Sequence, residues 1–105
     1  DGLYGYAHGA LLTQHLLRPA LAAAAQFLPR NRGQVIDGFR ARDSVICDRP
    51  EGVLRAQPGR KPRPFEVILE TPDHAPQYLQ EAALAVALCS ILGEYRKFVA
   101  HARNL

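Results

Sequence analysis

The feature that most constrains the fold is a long apolar segment near the C-terminus. Between Ala82 and Leu92 the only polar side chain is Ser90. Pro76 is a helix-start signal, and we expect one helix to run from about there to Arg103. A helix that is apolar on every side is buried on every side. A chain of 105 residues offers little material to bury it, so we expect the remainder of the same domain, or a partner, to cover this helix.

The apolar side chains of this segment recur at helical spacing and form two stripes. The members of the first stripe are Leu84, Leu88, Ile91, Tyr95, Phe98, Ala102 and Leu105. Those of the second are Leu79, Ala82, Ala83 and Val86. Two apolar stripes on one helix predict contacts on more than one side.

The clearest strand pattern lies at residues 65–70. Phe65, Val67 and Leu69 alternate with Glu66, Ile68 and Glu70, which is the period of a β-strand. Proline precedes the segment, and Thr71-Pro72 ends it. We expect a buried, central strand here. Two shorter apolar runs, residues 35–36 and 45–47, are compatible with short strands, so the chain reads as α/β.

The N-terminal third is less regular. Residues 1–9 contain three glycines, which indicates a strand end running into a loop. Proline is favoured only in the first turn of a helix. Pro19 therefore predicts a turn or short helix over residues 10–17 and a separate helix from Pro19 to Leu28. The apolar neighbours of Cys47 and Cys89 predict that both thiols are buried.

Charge is concentrated in one segment. The chain has a formal net charge of +3, while residues 30–63 alone contain nine Arg or Lys and four Asp or Glu. Such a patch could bind phosphate groups. Phe39 is almost its only aromatic residue, and the lack of side chains that could stack on bases disfavours nucleic-acid binding. We favour a solvated, Arg-rich loop and keep an anion or nucleic-acid binder as an alternative.

The chain carries no recognisable metal-ligand motif. None of its four histidines is spaced i, i+4 from another, and no CxxC or HxxE pattern occurs. We therefore predict no metal ligands among these residues. The longest apolar run is shorter than a membrane span, and the chain begins at Asp1 with no secretory leader. We expect a cytoplasmic protein that does not enter a membrane, and interpret Asp1 as a position inside a longer protein.

Glu70 is the strongest candidate for a catalytic residue. Carboxylates are rare on a strand that is otherwise Phe, Val, Ile and Leu. At the end of a strand a carboxylate can project into a cleft and act as a general base on water. The alternative is that Glu70 caps the next turn or pairs with an arginine of the Arg-rich segment. The local sequence favours neither.

A family resemblance is carried mainly by residues 65–76, FEVILETPDHAP, followed by the alanine-rich helix. This stretch resembles the end of the catalytic domain in zinc carboxypeptidase-like enzymes, in the branch of succinylglutamate desuccinylases and aspartoacylases. In that family a glutamate on one of the last strands activates a zinc-bound water. Residues 1–6, DGLYGY, resemble the stretch after the third zinc ligand. Residues 35–39 and 43–46 resemble the connection across the mouth of the site.

The resemblance implies that residues 1–105 are a single C-terminal portion of a larger, mixed-sheet catalytic domain. The family's His-x-x-Glu pair and its third histidine would then lie before Asp1. Zinc would belong to the full-length parent and would not be bound by this portion, which we expect to be inactive alone. Glu70 would be the general base in the hydrolysis of an amide.

The resemblance also implies a substrate, either a small molecule or a peptide, that carries a carboxylate. An arginine usually holds that carboxylate in the family, and Arg55, Arg60 and Arg63 are the candidates here. Tyr4 and Tyr6 are candidates to line the pocket. The alternative function is a small module that binds a protein partner through its long apolar helix.

Overall fold

The computed structural model describes residues 2–8, 11–47 and 66–103. They form a five-stranded mixed sheet with two helices, which confirms the α/β class. In chain order the elements are β1 (Tyr4–His8), α1 (Leu11–Ala24), β2 (Val35–Ile36), β3 (Phe39–Arg42), β4 (Val45–Ile46), β5 (Glu66–Glu70) and α2 (Gln77–Arg103). The strand order is β2-β3-β4-β1-β5. β1 is parallel to β4 and antiparallel to β5.

Both helices contribute to one core. Leu17, Leu21, Val45, Ala83 and Ala87 are all buried in it. Gly5 of β1 permits two close approaches. A Cβ there would lie 3.0 Å from Leu17 Cδ2 of α1 and 2.8 Å from the carbonyl oxygen of Ile68 in β5. The other face of the sheet is covered by a smaller cluster around Tyr6, Ile36 and Ile46.

The expectation that Pro19 would divide the first helical segment is wrong. α1 runs unbroken from Leu11 to Ala24, and the chain beyond Ala24 is turn rather than helix up to Leu28. Pro19 lies on the exposed side. An interior proline costs about 3 kcal/mol, but Leu16, Leu17 and Leu21 are each at least 97% buried. Burying one such side chain contributes about 1.5–3 kcal/mol, so packing outweighs the local penalty.

β2, β3 and β4 are joined by two tight hairpin turns. Asp37 and Gly38 have φ values of 53° and 80°, and Asp43 and Ser44 have 51° and 68°. Two consecutive positive φ values define the turn that best matches the twist of paired strands. Ser44 is buried and donates a 2.6 Å hydrogen bond to the carbonyl oxygen of Asn31. The two short strands at residues 35–36 and 45–46 are therefore confirmed, whereas β3 was not predicted.

The strand expected at residues 65–70 is present at Glu66–Glu70, but its predicted central, buried position is wrong. In the described part of the chain β5 pairs with β1 and lies at the edge of the sheet. All five of its residues are half-buried. Strand alternation reports which side chains share a face, not how many neighbouring strands a segment will have.

α2 follows its predicted limits closely. It begins at Gln77, directly after Pro76, and continues to Arg103. Ala83 and Ala87 face the core and are at most 1% exposed, whereas Leu88 and Leu92 are each 53% exposed. The apolar sequence of this helix is thus only partly buried by the described residues.

The prediction of two buried thiols is wrong, because Cys47 and Cys89 are both exposed. Cys47 follows the last residue of β4, and Cys89 lies on a side of α2 turned away from the core. Neither α1 nor α2, the two helices of the described chain, combines the length and apolarity needed to cross a bilayer.

Candidate functional site

A cleft of about 450 Å³ lies where β5 ends and β1 begins. Its polar lining comes from Tyr4, Asn31, Asp37, Glu70, Thr71 and Asp73. These residues belong to β1, to the segment before β2, to the turn between β2 and β3, and to the end of β5 with the turn that follows it. The cleft is therefore assembled from segments that are far apart in sequence.

Glu70 occupies the last position of β5, next to the first residue of β1. The antiparallel register pairs Glu70 with Tyr4 and Ile68 with Tyr6. Cross-strand partners project from the same face of a sheet, so Glu70 and Tyr4 share the face that carries the cleft. This face is the one predicted from the alternation of Glu66, Ile68 and Glu70.

The strand ends after Glu70 because Pro72 has no N–H to donate to a ladder. Two hydrogen bonds then hold the following turn on the start of α2. The Thr71 hydroxyl donates to Gln80 Oε1 at 2.8 Å, and Gln80 Nε2 donates to the carbonyl oxygen of Ala75 at 2.7 Å. Glu70 thus projects from a segment held by β1 on one side and by α2 on the other.

Asp37 is joined to β1 by two tyrosines. The hydroxyls of Tyr4 and Tyr6 both donate to Asp37 Oδ2, at 2.5 and 2.9 Å. We call these three residues the Asp37 clasp. The two tyrosine rings meet edge to face with centroids 6.0 Å apart, and Tyr6 meets Phe39 in the same way at 6.1 Å. The clasp holds the tip of the β2–β3 hairpin as one wall of the cleft.

The same bonds set the electrostatics of the clasp. Burial, followed by the hydrogen bond to Asp37 and the negative charges of Asp37 and Glu70, raises the pKa of Tyr6 to about 12. The same causes raise the pKa of Tyr4 further. The hydroxyls of Tyr4 and then Tyr6 stabilise the ionised carboxylate and lower the pKa of Asp37. At neutral pH the clasp is therefore two neutral phenols donating to one carboxylate.

The described residues do not by themselves provide a metal centre. Within residues 2–8, 11–47 and 66–103, no three His, Cys, Asp or Glu side chains come together in a way that could hold a metal ion. The carboxylates of Asp37, Glu70 and Asp73 line one cleft without forming such a group. A catalytic zinc site needs three protein ligands, so zinc does not fit the described residues alone.

The structure brings together some of the predicted site residues. Tyr4 and Glu70 lie in the same cleft, while Tyr6 contributes through its bond to Asp37. Arg55, Arg60 and Arg63 lie outside the described residues. Asp37 was missed as a site residue, although Asp37-Gly38 between short apolar runs is a strong hairpin signal and could have revealed the turn. The two tyrosines that it meets could not be inferred from that signal.

No protein-family model matches the chain, and neither the curated proteins nor the solved structures include a significant match to it.

Proposed function

We propose that this chain is the C-terminal part of a zinc-dependent, carboxypeptidase-like or deacylase-like hydrolase that cleaves an amide bond, and that Glu70 is its general base. The observation that carries the proposal is the position of Glu70. It ends β5 in a polar cleft, directly beside the start of β1. A carboxylate in such a position can accept a proton from a water molecule in the cleft.

The start of β1 matters because of the family resemblance. In the zinc carboxypeptidase-like family, the third zinc ligand precedes a stretch similar to residues 1–6. β1 is antiparallel to β5, so the first residue of β1, Tyr4, lies beside the last residue of β5, Glu70. Ligands supplied from before residue 1 would enter the site on the side where Glu70 lies.

The proposed reaction is hydrolysis by direct attack of water on the amide carbon. Glu70 accepts a proton from the water as the new carbon–oxygen bond forms. The carbon–nitrogen bond then breaks, Glu70 returns the proton to the leaving nitrogen, and the products are a carboxylic acid and an amine. Zinc, when bound, lowers the pKa of a water ligand and polarises a carbonyl group.

The proposed substrate carries a carboxylate, as in the family that the chain resembles. The described part of the cleft is lined by three carboxylates of its own, Asp37, Glu70 and Asp73. A substrate carboxylate would therefore need a cation from another part of the protein. Arg55, Arg60 and Arg63 remain the candidates, because a guanidinium can bind a carboxylate through two parallel hydrogen bonds.

The test is Glu70→Gln in the full-length parent. The substitution keeps the shape of the side chain and removes the proton acceptor. General-base catalysis typically contributes about 10²–10⁴-fold in rate, so we expect a loss of that size in turnover. Thermal unfolding and zinc content are measured on the same samples, and both should remain unchanged.

Glu66→Gln is the matched control. Glu66 lies on the same strand and the same face, but it pairs with His8 rather than Tyr4 and is about 13 Å from Glu70 along the strand. Turnover of this variant should stay within a few fold of wild type. If Glu70→Gln retains near-normal turnover at matched zinc content, the general-base role is wrong and a turn-capping or ion-pairing role replaces it.

A further inference from the structure

Two arginines of β3 project from the face of the sheet that is opposite the cleft. Arg40 and Arg42 are separated by one residue, so their side chains share a face, and their Cα atoms lie about 7 Å apart at the rise of a strand. The register places Arg42 opposite Val45, which belongs to the helix-side core. Both arginines are exposed. We call them the arginine pair.

The nearest acidic side chains along the chain are already engaged. Asp37 and Asp43 are the only acidic residues between positions 11 and 47. Asp43 lies 3.3 Å from Arg18, and Asp37 accepts hydrogen bonds from Tyr4 and Tyr6 on the opposite face of the sheet. Neither aspartate forms an ion pair with the arginine pair.

The other acidic residues of the described chain lie in β5, in the turn after it and in α2. β5 is three strand positions from β3, which is about 14 Å at the usual spacing of strands. α2 packs against α1, and its Glu94 pairs with Lys97. Within residues 2–8, 11–47 and 66–103, the arginine pair therefore keeps two positive charges that no carboxylate neutralises.

An open groove of about 440 Å³ borders the arginine pair. Its described lining consists of Arg40, Ala41, Arg42, Val45 and Cys47, so the two guanidinium groups are the only charged groups of that lining. The volume is in the range of sites for small molecules. The charge of a ligand in this groove would be recognised by the arginine pair.

Two neighbouring guanidinium groups match a doubly charged oxyanion. A phosphate monoester carries a charge of about −1.5 to −2 at pH 7 and has three oxygens that accept hydrogen bonds. Each guanidinium can bind such a group through two parallel bonds, whereas a carboxylate carries only one charge. Single-stranded nucleic acids are bound on aromatic side chains that stack with bases, and the described lining of the groove contains none.

We propose that the groove beside β3 is a binding site for a small molecule that carries a phosphate monoester, with the phosphate held between Arg40 and Arg42. This inference goes beyond the proposed hydrolase activity and does not depend on it, because the groove and the cleft of Glu70 lie on opposite faces of the sheet.

The first test measures the binding of glycerol 3-phosphate, a simple phosphate monoester, to the full-length protein by titration calorimetry. Arg40→Gln and Arg42→Gln should each weaken binding by about 10-fold or more, because each removes charge-assisted hydrogen bonds. Arg96→Gln is the matched control, since it removes one positive charge at an exposed position of α2. This control should bind like wild type, and all three variants should unfold at the wild-type temperature.

The second test locates the ligand on the unmodified protein. Cys47 lines the groove, whereas Cys89 is exposed on α2. Saturating glycerol 3-phosphate should slow the alkylation of Cys47 by iodoacetamide and leave that of Cys89 unchanged. Peptide mass spectrometry measures both rates in the same sample.

Several results would overturn the inference. One is the absence of saturable binding up to about 10 mM glycerol 3-phosphate, where even a site of millimolar affinity would be filled. An equal loss of binding in Arg96→Gln, or equal protection of both cysteines, would show that the anion has no defined site.

Two further probes test the class of ligand. A single-stranded oligonucleotide and a hexaglutamate peptide should each bind more weakly than glycerol 3-phosphate. Tighter binding of either, lost in Arg40→Gln and Arg42→Gln, would assign the surface to a nucleic acid or to an acidic peptide instead. Glu70→Gln should bind glycerol 3-phosphate like wild type, so this result is independent of the proposed hydrolase function.

Discussion

The two faces of the sheet are stabilised by different kinds of interaction. On the helix-covered face, α1 and α2 pack apolar side chains such as Leu17 and Leu21 against Val45, with the small residues Ala83 and Ala87 allowing close approach. On the opposite face, a smaller apolar cluster around Tyr6 and Ile46 is bordered by the Asp37 clasp and the cleft that contains Glu70. The helix-covered face depends on non-directional burial, and the cleft face adds directional hydrogen bonds.

This difference explains where a functional site can be built. Apolar burial is roughly proportional to area and tolerates small shifts, so it does not define the position of an individual polar atom. The clasp joins Asp37 to Tyr6, which lies 31 positions earlier in the chain, by a hydroxyl-to-carboxylate bond of 2.9 Å. It joins Asp37 to Tyr4, 33 positions earlier, by a bond of 2.5 Å. Such bonds are sensitive to distance and angle. The helix-covered face therefore supplies stability, and the cleft face supplies geometry.

The largest effect on stability is expected from truncating the helix-side core. Leu17 is fully buried, so Leu17→Ala should lower the free energy of unfolding by about 2–5 kcal/mol. Denaturant unfolding measures this directly. His15→Ala, on the exposed side of the same helix, should change the free energy of unfolding by less than about 0.5 kcal/mol. A small loss for Leu17→Ala would show that the two faces do not differ as described.

A smaller effect is expected from Asp37→Asn on the cleft face. Asparagine tolerates the positive φ of this position and keeps an amide oxygen that can accept a hydrogen bond, but it removes the negative charge that strengthens both bonds. We expect a loss of about 1–2 kcal/mol in unfolding free energy and a fall in the pKa of Tyr6 from about 12, followed by ultraviolet absorbance. The pKa should fall only part of the way, because burial, its larger cause, remains. An unchanged tyrosine titration would show that the clasp does not form in solution.

The clasp also predicts a pH window. Folding lowers the pKa of Asp37, so its contribution to stability is present above the unfolded pKa and is lost as pH falls through the folded pKa. Folding raises the pKa of Tyr6 to about 12. The contribution of Tyr6 to stability is therefore present below its unfolded pKa and is lost as pH rises through its folded pKa. The difference in stability between wild type and Asp37→Asn should thus be steady at neutral pH and shrink in strong acid.

The smallest effect is expected from the ion pair that links the helix layer to the β3–β4 turn. Arg18 Nη1 lies 3.3 Å from Asp43 Oδ2, and the two side chains are 41% and 63% exposed. Exposed pairs contribute about 0–1 kcal/mol, so Arg18→Ala should barely change the midpoint of denaturant unfolding. Any change should diminish further at high salt. A loss as large as that of Asp37→Asn would contradict the expectation that this exposed ion pair contributes less to stability than the clasp does.

The sequence by itself determined the features that depend on neighbouring residues. The alternation at residues 66–70 predicted a strand with Glu66, Ile68 and Glu70 on one face, and Pro76 with the apolar periodicity predicted the limits of α2. The two short strands at residues 35–36 and 45–46 were also predictable. In each case a few adjacent side chains carry the whole signal, because periodicity and proline act within one element.

Only the tertiary structure decided the features that depend on distant residues. α1 continues through Pro19 because the buried leucines around it outweigh a local penalty, and β5 lies at the edge of the described sheet because strand order is not encoded in a single strand. Glu70 could be proposed as a site residue from sequence, but its cleft could not. Asp37 reaches Tyr4 and Tyr6 only after two hairpin turns have placed the β2–β3 tip over β1, and no local pattern records a contact between residues so far apart in the chain.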